Sequence, residues 1–171
     1  MLVRPAAAQD LSAIHSIYAY HVLHGLASFE EEPPSLEEMR RRYEDVTGGG
    51  LPYLVAEENG EVLGYGYCAL YRTRSAYRYA LEDSIYVREG RQGKGIGKAL
   101  LAELISRCQG LDYRQMIAVI GDSANAASIA VHGSLGFVRA GNLRSTGYKF
   151  GRWVDTVLMQ LPLGEGDGSK P

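Results

Sequence analysis

The sequence of 171 residues predicts a single α/β domain, a mixed β-sheet flanked by helices. Two features of segment order carry that expectation. In the middle of the chain, two extended runs meet at Asn59-Gly60, the strongest short-range signal of an antiparallel hairpin. In the second half, extended runs alternate with segments of helical periodicity. A hydrophobic share of 46% is enough to bury a sizeable core in a chain of this length.

Taken in order, Leu2 to Arg4 reads as a short strand. Asp10 then stands where a cap belongs, before a helix that keeps Leu11, Ile14, Ile17, Tyr18, Val22 and Leu23 on one face and ends at Gly25. Ser35 and Glu38 form a capping-box pair that starts a second helix, from Leu36 to about Asp45. Gly48-Gly49-Gly50 breaks the chain, and the hairpin follows as Tyr53 to Glu57 and Val62 to Leu70. Leu81 to Val87 is the next strand, and Ile96 to Arg107 the next helix. Met116 to Ile120 is a strand and Asn125 to Leu135 a helix, with Phe137-Val138 and Val154 to Leu161 as closing strands. Residues 1–163 make the domain. Residues 164–171 are mostly Gly, Ser, Lys and acid, and are expected to form a flexible tail outside the core.

Several function classes are disfavoured at this level. The net charge of −2 lacks the basic excess of a nucleic-acid binder. No apolar run is long enough to span a membrane, and the start Met1-Leu2-Val3-Arg4-Pro5 has no secretory pattern, so the expected location is the cytoplasm. Cys68 and Cys108 form no metal-binding pair and read as small buried apolar residues rather than reactive thiols. His15, His21 and His24 lie on the first helix without a metal-ligand pattern, and no metal is expected.

The most informative segment runs from Ile85 to Leu101, where a strand enters a loop with alternate glycines, Gly93, Gly95 and Gly97, and the loop opens a helix. Glycines let the main chain approach a bulky anion, and the free N–H groups of a helix start favour one. Arg91, Lys94 and Lys98 add positive charge, so a pyrophosphate suits this mouth. The Walker pattern fails because no Lys-Ser or Lys-Thr pair follows the glycines. The dinucleotide fingerprint fits poorly, because its loop follows the first strand of the fold and this one follows several.

Gln92-Gly93-Lys94-Gly95-Ile96-Gly97 resembles the Gln/Arg-x-x-Gly-x-Gly/Ala loop of the GNAT N-acetyltransferases. The stretch Asn125 to Phe137, with Ser128, His132 and Gly136, is similar to their second signature. Three further stretches, Tyr77 to Val87, Ala118 to Gly121 and Gly147 to Asp155, resemble the phosphinothricin and methionine sulfoximine acetyltransferase branch. The resemblance covers residues 2–162 and implies a mixed, mostly antiparallel sheet with acetyl-CoA as co-substrate. The implied acceptor is a small-molecule amine, the α-amino group of a glutamate-like amino acid. A homodimer is also implied.

The same resemblance implies roles for individual residues. The pyrophosphate falls to Gln92, Gly93, Lys94, Gly95, Ile96, Gly97 and Lys98. The strand end Ile85-Tyr86-Val87 runs beside the cofactor, with N–H groups near Tyr86 and Val87 polarising the thioester carbonyl. Asn125 and Ser128 complete the cofactor contacts, although Asn125 can equally cap its helix. Glu82, at the strand start before the loop, is the candidate base for the amine, against a plain strand-edge carboxylate. Asp83 points to the opposite face of a regular strand. His132 either protonates the departing thiolate or is a packed helix histidine. For the acceptor, Arg72 and Arg74, beside Tyr77, offer a fork for a carboxylate or else a solvated basic loop. Phe29 is expected as an apolar wall, Glu30 as an amine contact, and Lys149 as a group reaching the acceptor or a partner subunit.

Overall fold

In the computed structural model, which describes residues Met1–Pro171, seven strands form one sheet. They are β1 (Leu2–Pro5), β2 (Tyr53–Glu58), β3 (Glu61–Leu70), β4 (Ala80–Val87), β5 (Gln115–Gly121), β6 (Val138–Lys149) and β7 (Arg152–Pro162). Their order is β1-β2-β3-β4-β5-β7-β6. Every neighbouring pair is antiparallel except β4 and β5. The exception follows from the connection: α3 (Ile96–Gln109) lies between β4 and β5 and carries the chain back to start the next strand in the same direction. The Asn59-Gly60 hairpin forms as expected, with both residues at positive φ, 52° and 80°.

The helices divide between the two faces. α1 (Leu11–His24) and α2 (Leu36–Gly48) bury Leu11, Ile14, Val22 and Met39 against Tyr53, Val55, Tyr65 and Tyr86 of the sheet. On the other face α3 buries Leu100, Leu101 and Leu104 against Leu54, Leu63, Leu81 and Met116, and α4 (Ala126–Gly133) adds the half-buried Ile129 and Val131. Alternate residues of one strand, such as Tyr53 and Leu54, therefore serve different cores. Cys68 and Cys108 are buried in the α3 core as free thiols 3.6 Å apart. No helix is long and apolar enough to cross a membrane.

Some local expectations change. Asp10 does not cap α1 with its side chain; Arg4 claims the carboxylate at 2.7 and 2.9 Å, and the Ala7 N–H donates to it at 2.8 Å. That guanidinium holds Asp10 below the ordinary carboxylate value. Ser35 does cap α2, accepting from the Glu38 N–H, but the Glu38 side chain turns outward to Arg41 and Arg42. The largest difference is β6, which starts at Val138 and runs to Lys149 as the edge of the sheet. It joins β7 through Phe150-Gly151, both at positive φ. Residues 164–171 follow β7 as turns, and Arg114 donates to the Ser169 hydroxyl at 3.2 Å.

Candidate active site

β4 feeds the glycine loop, and the loop feeds α3. Gly93 and Gly95 sit at φ of 74° and 79°, and Gly95 is the residue before the helix. The first chain amide after the loop to find a main-chain acceptor is that of Ala99, which donates to the Gly95 carbonyl. The N–H groups from Gln92 to Lys98 have no partner within the protein and form a nest at the positive end of the helix dipole. Lys94 and Lys98 are exposed beside it, whereas Arg91 turns away to Glu61 at 2.8 Å.

The sheet opens next to this nest. β4 and β5 pair only where Ala80–Asp83 meets Gln115–Ala118. Beyond that point Ser84–Val87 stays with β3 and Val119–Gly121 stays with β7, so the two central strands part. The β3–β4 ladder uses even-numbered residues, as the Tyr71 N–H to Ala80 and Arg88 N–H to Leu63 bonds fix its phase. Ile85 and Val87 therefore turn their main-chain groups into the opening, while those of Tyr86 are committed to β3. The Val87 carbonyl accepts from His21 Nε2 at 2.8 Å. An extended, amide-bearing arm fits such an unpaired edge as an added strand, with its pyrophosphate at the nest. Asn125 and Ser128 border the opening. Asn125 also caps α4, its Oδ1 accepting from the Ser128 N–H at 3.1 Å.

β4 places its two acidic residues on opposite faces. Glu82 lies on the α1 side, in a small cleft with Tyr67, Ser84 and Tyr86, roofed by Ala27, Ser28 and Phe29. Burial pushes its carboxyl above the ordinary value; the charge of Asp83 adds to this and that of Arg72 opposes it. Asp83 lies on the α4 side, buried, with Oδ2 at 3.0 Å from His132 Nε2. His132 Nδ1 meets the Ser128 carbonyl at 2.8 Å. A carbonyl only accepts, so Nδ1 carries a hydrogen and a second proton is held between Nε2 and Oδ2. Burial disfavours the imidazolium, but Asp83 outweighs it and the pKa of His132 is raised. Sequence reasoning placed Asp83 on the correct face but missed its partner, because nothing in the chain order brings residue 83 to residue 132.

The roof of the cleft is the α1–α2 loop, and Lys149 holds it. This buried lysine donates to the Gly25 carbonyl at 2.9 Å and the Ser28 carbonyl at 2.7 Å. Its ammonium is thus directed at the loop main chain, which makes it a support of the cleft rather than a wall. Loss of water draws its pKa down from the ordinary lysine value. The Phe29 ring lies so close to Gly147 that a Cβ there would fall 2.5 Å from it, and a Cβ on Gly121 would fall 2.0 Å from the Leu26 carbonyl oxygen. Both positions thus need glycine for the loop to sit down. Glu30 points away from the cleft, accepting from Tyr18 at 3.0 Å and Arg42 at 2.7 Å. Arg72 is exposed and stacks on Tyr71, 4.5 Å from the ring centre, with its charge felt at Glu82. Arg74 is exposed at the start of a short 3-10 turn, and Tyr77, on that turn, stands edge-on to Tyr71. Neither lines the cleft.

Comparison with known proteins identifies the family of this fold. The acetyltransferase (GNAT) domain family matches residues 3–158. The phosphinothricin N-acetyltransferase of Alcaligenes faecalis is 56% identical, over 99% of this chain and 86% of its own. The L-methionine sulfoximine/L-methionine sulfone acetyltransferase of Salmonella typhimurium is 41% identical, over 96% of each. The crystal structure of a phosphinothricin acetyltransferase from Sinorhizobium meliloti in complex with acetyl-CoA superposes with a TM-score of 0.96 at 53% identity, covering 99% of this chain and 92% of that one. With the family match running from β1 into β7, and an acetyl-CoA complex of the same fold at that identity, the chain belongs to the GNAT acetyltransferases as an acetyl-CoA-dependent acyltransferase that closely resembles the phosphinothricin and methionine sulfoximine branch.

Proposed function

We propose that the enzyme acetylates the α-amino group of a small glutamate-like amino acid, of the phosphinothricin or methionine sulfoximine type, by direct transfer. The observation that carries this reading is Glu82: a carboxylate with a raised pKa, in a small roofed cleft at the point where β4 and β5 part. A base must have a pKa near the working pH to remove a proton from an ammonium and still be available, and burial moves Glu82 in that direction. Glu82 takes one proton from the ammonium and passes it to solvent, which frees the nitrogen lone pair to form the bond to the carbonyl carbon; it then takes the second proton as the amide forms. The carbon–sulfur bond breaks with its electron pair on sulfur, and the proton held between His132 and Asp83 passes to that sulfur. The N–H of Val87, turned into the opening, is suited to polarise the thioester carbonyl. Arg72 supplies a cation near the acceptor's carboxylate.

The reading extends to assembly and location. The enzyme works in the cytoplasm as a homodimer, and the edge strand β6 with the exposed Leu143, Tyr148, Phe150 and Trp153 around the β6–β7 hairpin offers the contact. The test is the rate of CoA release from acetyl-CoA with phosphinothricin, methionine sulfoximine and a carboxylate-free amine of similar size. Saturable turnover of an amino acid, with mass spectrometry placing the acetyl group on its α-nitrogen, is the expected result. Turnover of the simple amine alone would refute the acceptor class.

A further inference from the structure

We infer that Asp83 is a positioning residue whose single negative charge sets the protonation of two groups at once: Glu82, the base, and His132, the proton donor, from opposite faces of β4. This rests on the direct-transfer reading above.

The geometry has three parts. Asp83 and Glu82 are neighbours in the chain, so their carboxyls belong to the same short piece of strand although they open to different sides of the sheet. On its own face Asp83 is 3.0 Å from His132 Nε2, and the other nitrogen of that ring is fixed by the Ser128 carbonyl at 2.8 Å. The remaining oxygen of Asp83, Oδ1, is buried and has no hydrogen-bond partner. A buried oxygen left bare is costly, and a structural ion pair would be expected to satisfy it. Asp83 and His132 both line the cavity where the strands part, so the unsatisfied carboxylate belongs to the wall of that opening.

The groups that face this pair from the packed elements leave Asp83 as the charge in contact with His132 and as the larger of the two charge effects at Glu82. From β3, Cys68 is the cross-strand partner of Asp83, with Cys108 of α3 behind it; burial and that contact push the Cys68 thiol up, so it stays uncharged. From β5 the opposite residue is Ala118. Phe137 stands edge-on to the His132 ring. On the far face, Glu82 meets Tyr67, a neutral phenol raised by burial, and the charge of exposed Arg72.

The signs then follow. A negative Asp83 favours the imidazolium of His132, and it disfavours a second negative charge on Glu82. Both pKa values are raised: that of Glu82 by burial first and then by Asp83, that of His132 against the opposing effect of burial, by Asp83. The rate rises with pH as Glu82 loses its proton and falls as His132 loses its own. Asp83 therefore moves both limbs of the profile the same way and keeps the active window from sliding to acid pH.

The experiment is the pH dependence of kcat/KM for Asp83→Asn, a change that keeps the shape and a hydrogen-bond acceptor for Nε2 but removes the charge. Both limbs should move to lower pH, the alkaline one by about one unit or more, the usual effect of a contacting charge. Affinity for CoA should stay within about twofold (~0.4 kcal/mol), since the main-chain groups proposed to bind it are unchanged by the substitution. A uniform loss of rate with unmoved limbs would make Asp83 merely structural and overturn the inference. The native enzyme gives a second test, which does not depend on how the variant folds. The nitrogen-15 shifts of His132 should report an imidazolium that persists above the ordinary histidine range, and a ring neutral at or below that range would also overturn it. Failure of the direct-transfer reading looks different: Glu82→Gln would then keep the acid limb, whatever Asp83→Asn does.

Discussion

At the end proposed to take the cofactor the site presents main chain: the bare amides of Gln92 to Lys98 and the unpaired strand edge at Ile85 and Val87. At its acceptor end it presents side chains, with Glu82, Tyr67 and Phe29 around a cleft roofed by a loop that Lys149 and Arg42 hold from behind. Every residue but proline has an N–H, so the first kind of site tolerates most substitutions except at the glycines that shape it. The second changes character with one side chain. A fold of this type can therefore keep one cofactor while its acceptors diverge. Glu82 and Asp83, to which the proposed mechanism gives the proton transfers, stand where the two ends meet.

The largest expected effect breaks the comparison at that junction. Glu82→Gln keeps the size of the side chain and removes the base, so kcat should fall about 10²- to 10⁴-fold. Acetyl-CoA affinity should hold, because the amides and the strand edge do not involve this side chain. Isothermal titration with CoA beside a turnover assay separates the two. A variant that turns over at the native rate across pH would remove Glu82 from the mechanism.

A smaller effect is expected at the other end. Gly95 holds φ at 79° with open space where a Cβ would go, so Gly95→Ala meets conformational strain and no collision. A left-handed residue with a Cβ costs about 1–2 kcal/mol; with the loop free to relax in the unliganded enzyme, cofactor binding must restore that conformation, and the KM for acetyl-CoA should rise by up to roughly 5- to 30-fold. The KM for the acceptor should not change. If both constants rose together, the two ends would not be independent and the contrast would fail.

The same contrast explains what could be read in the sequence. The glycine loop was legible because its alternate glycines, a weak signal alone, stand between a strand and a helix among Arg91, Lys94 and Lys98. The Asn59-Gly60 hairpin was legible for a similar reason. β6 was not, because an edge strand carrying Arg139, Asn142, Arg144, Ser145 and Thr146 mostly in water shows no alternation of apolar residues. Its turn was hidden too, since Phe150 is not a residue that announces a positive φ. The role proposed for Glu82 comes only from resemblance, and the contacts around it were not legible at all. The contact of Asp83 with His132 and that of Lys149 with Gly25 and Ser28 join segments far apart in the chain. Lys149 was expected to reach the acceptor or another subunit. A buried ammonium instead satisfies two loop carbonyls that would otherwise be bare, which no local pattern records.

The smallest effect, and the finest test of the acceptor end, concerns Arg72. Its guanidinium is exposed, lies over Tyr71, and opposes the rise in the pKa of Glu82. Removing it with Arg72→Ala takes a positive charge away from the base, so the carboxylate becomes harder to form and the acid limb of the rate profile moves to higher pH. This is opposite in sign to the shift expected for Asp83→Asn. A charge in water is strongly screened, so the shift should be a fraction of a unit at low salt and should vanish as the ionic strength approaches 1 M. The same change should raise the KM for an amino-acid acceptor by severalfold and leave a carboxylate-free amine unaffected. Equal losses for both acceptors would show that Arg72 shapes the cleft instead of reading the carboxylate. Recognition of that group would then have to come from the roof loop or from a second subunit, and the acceptor end would no longer be self-contained.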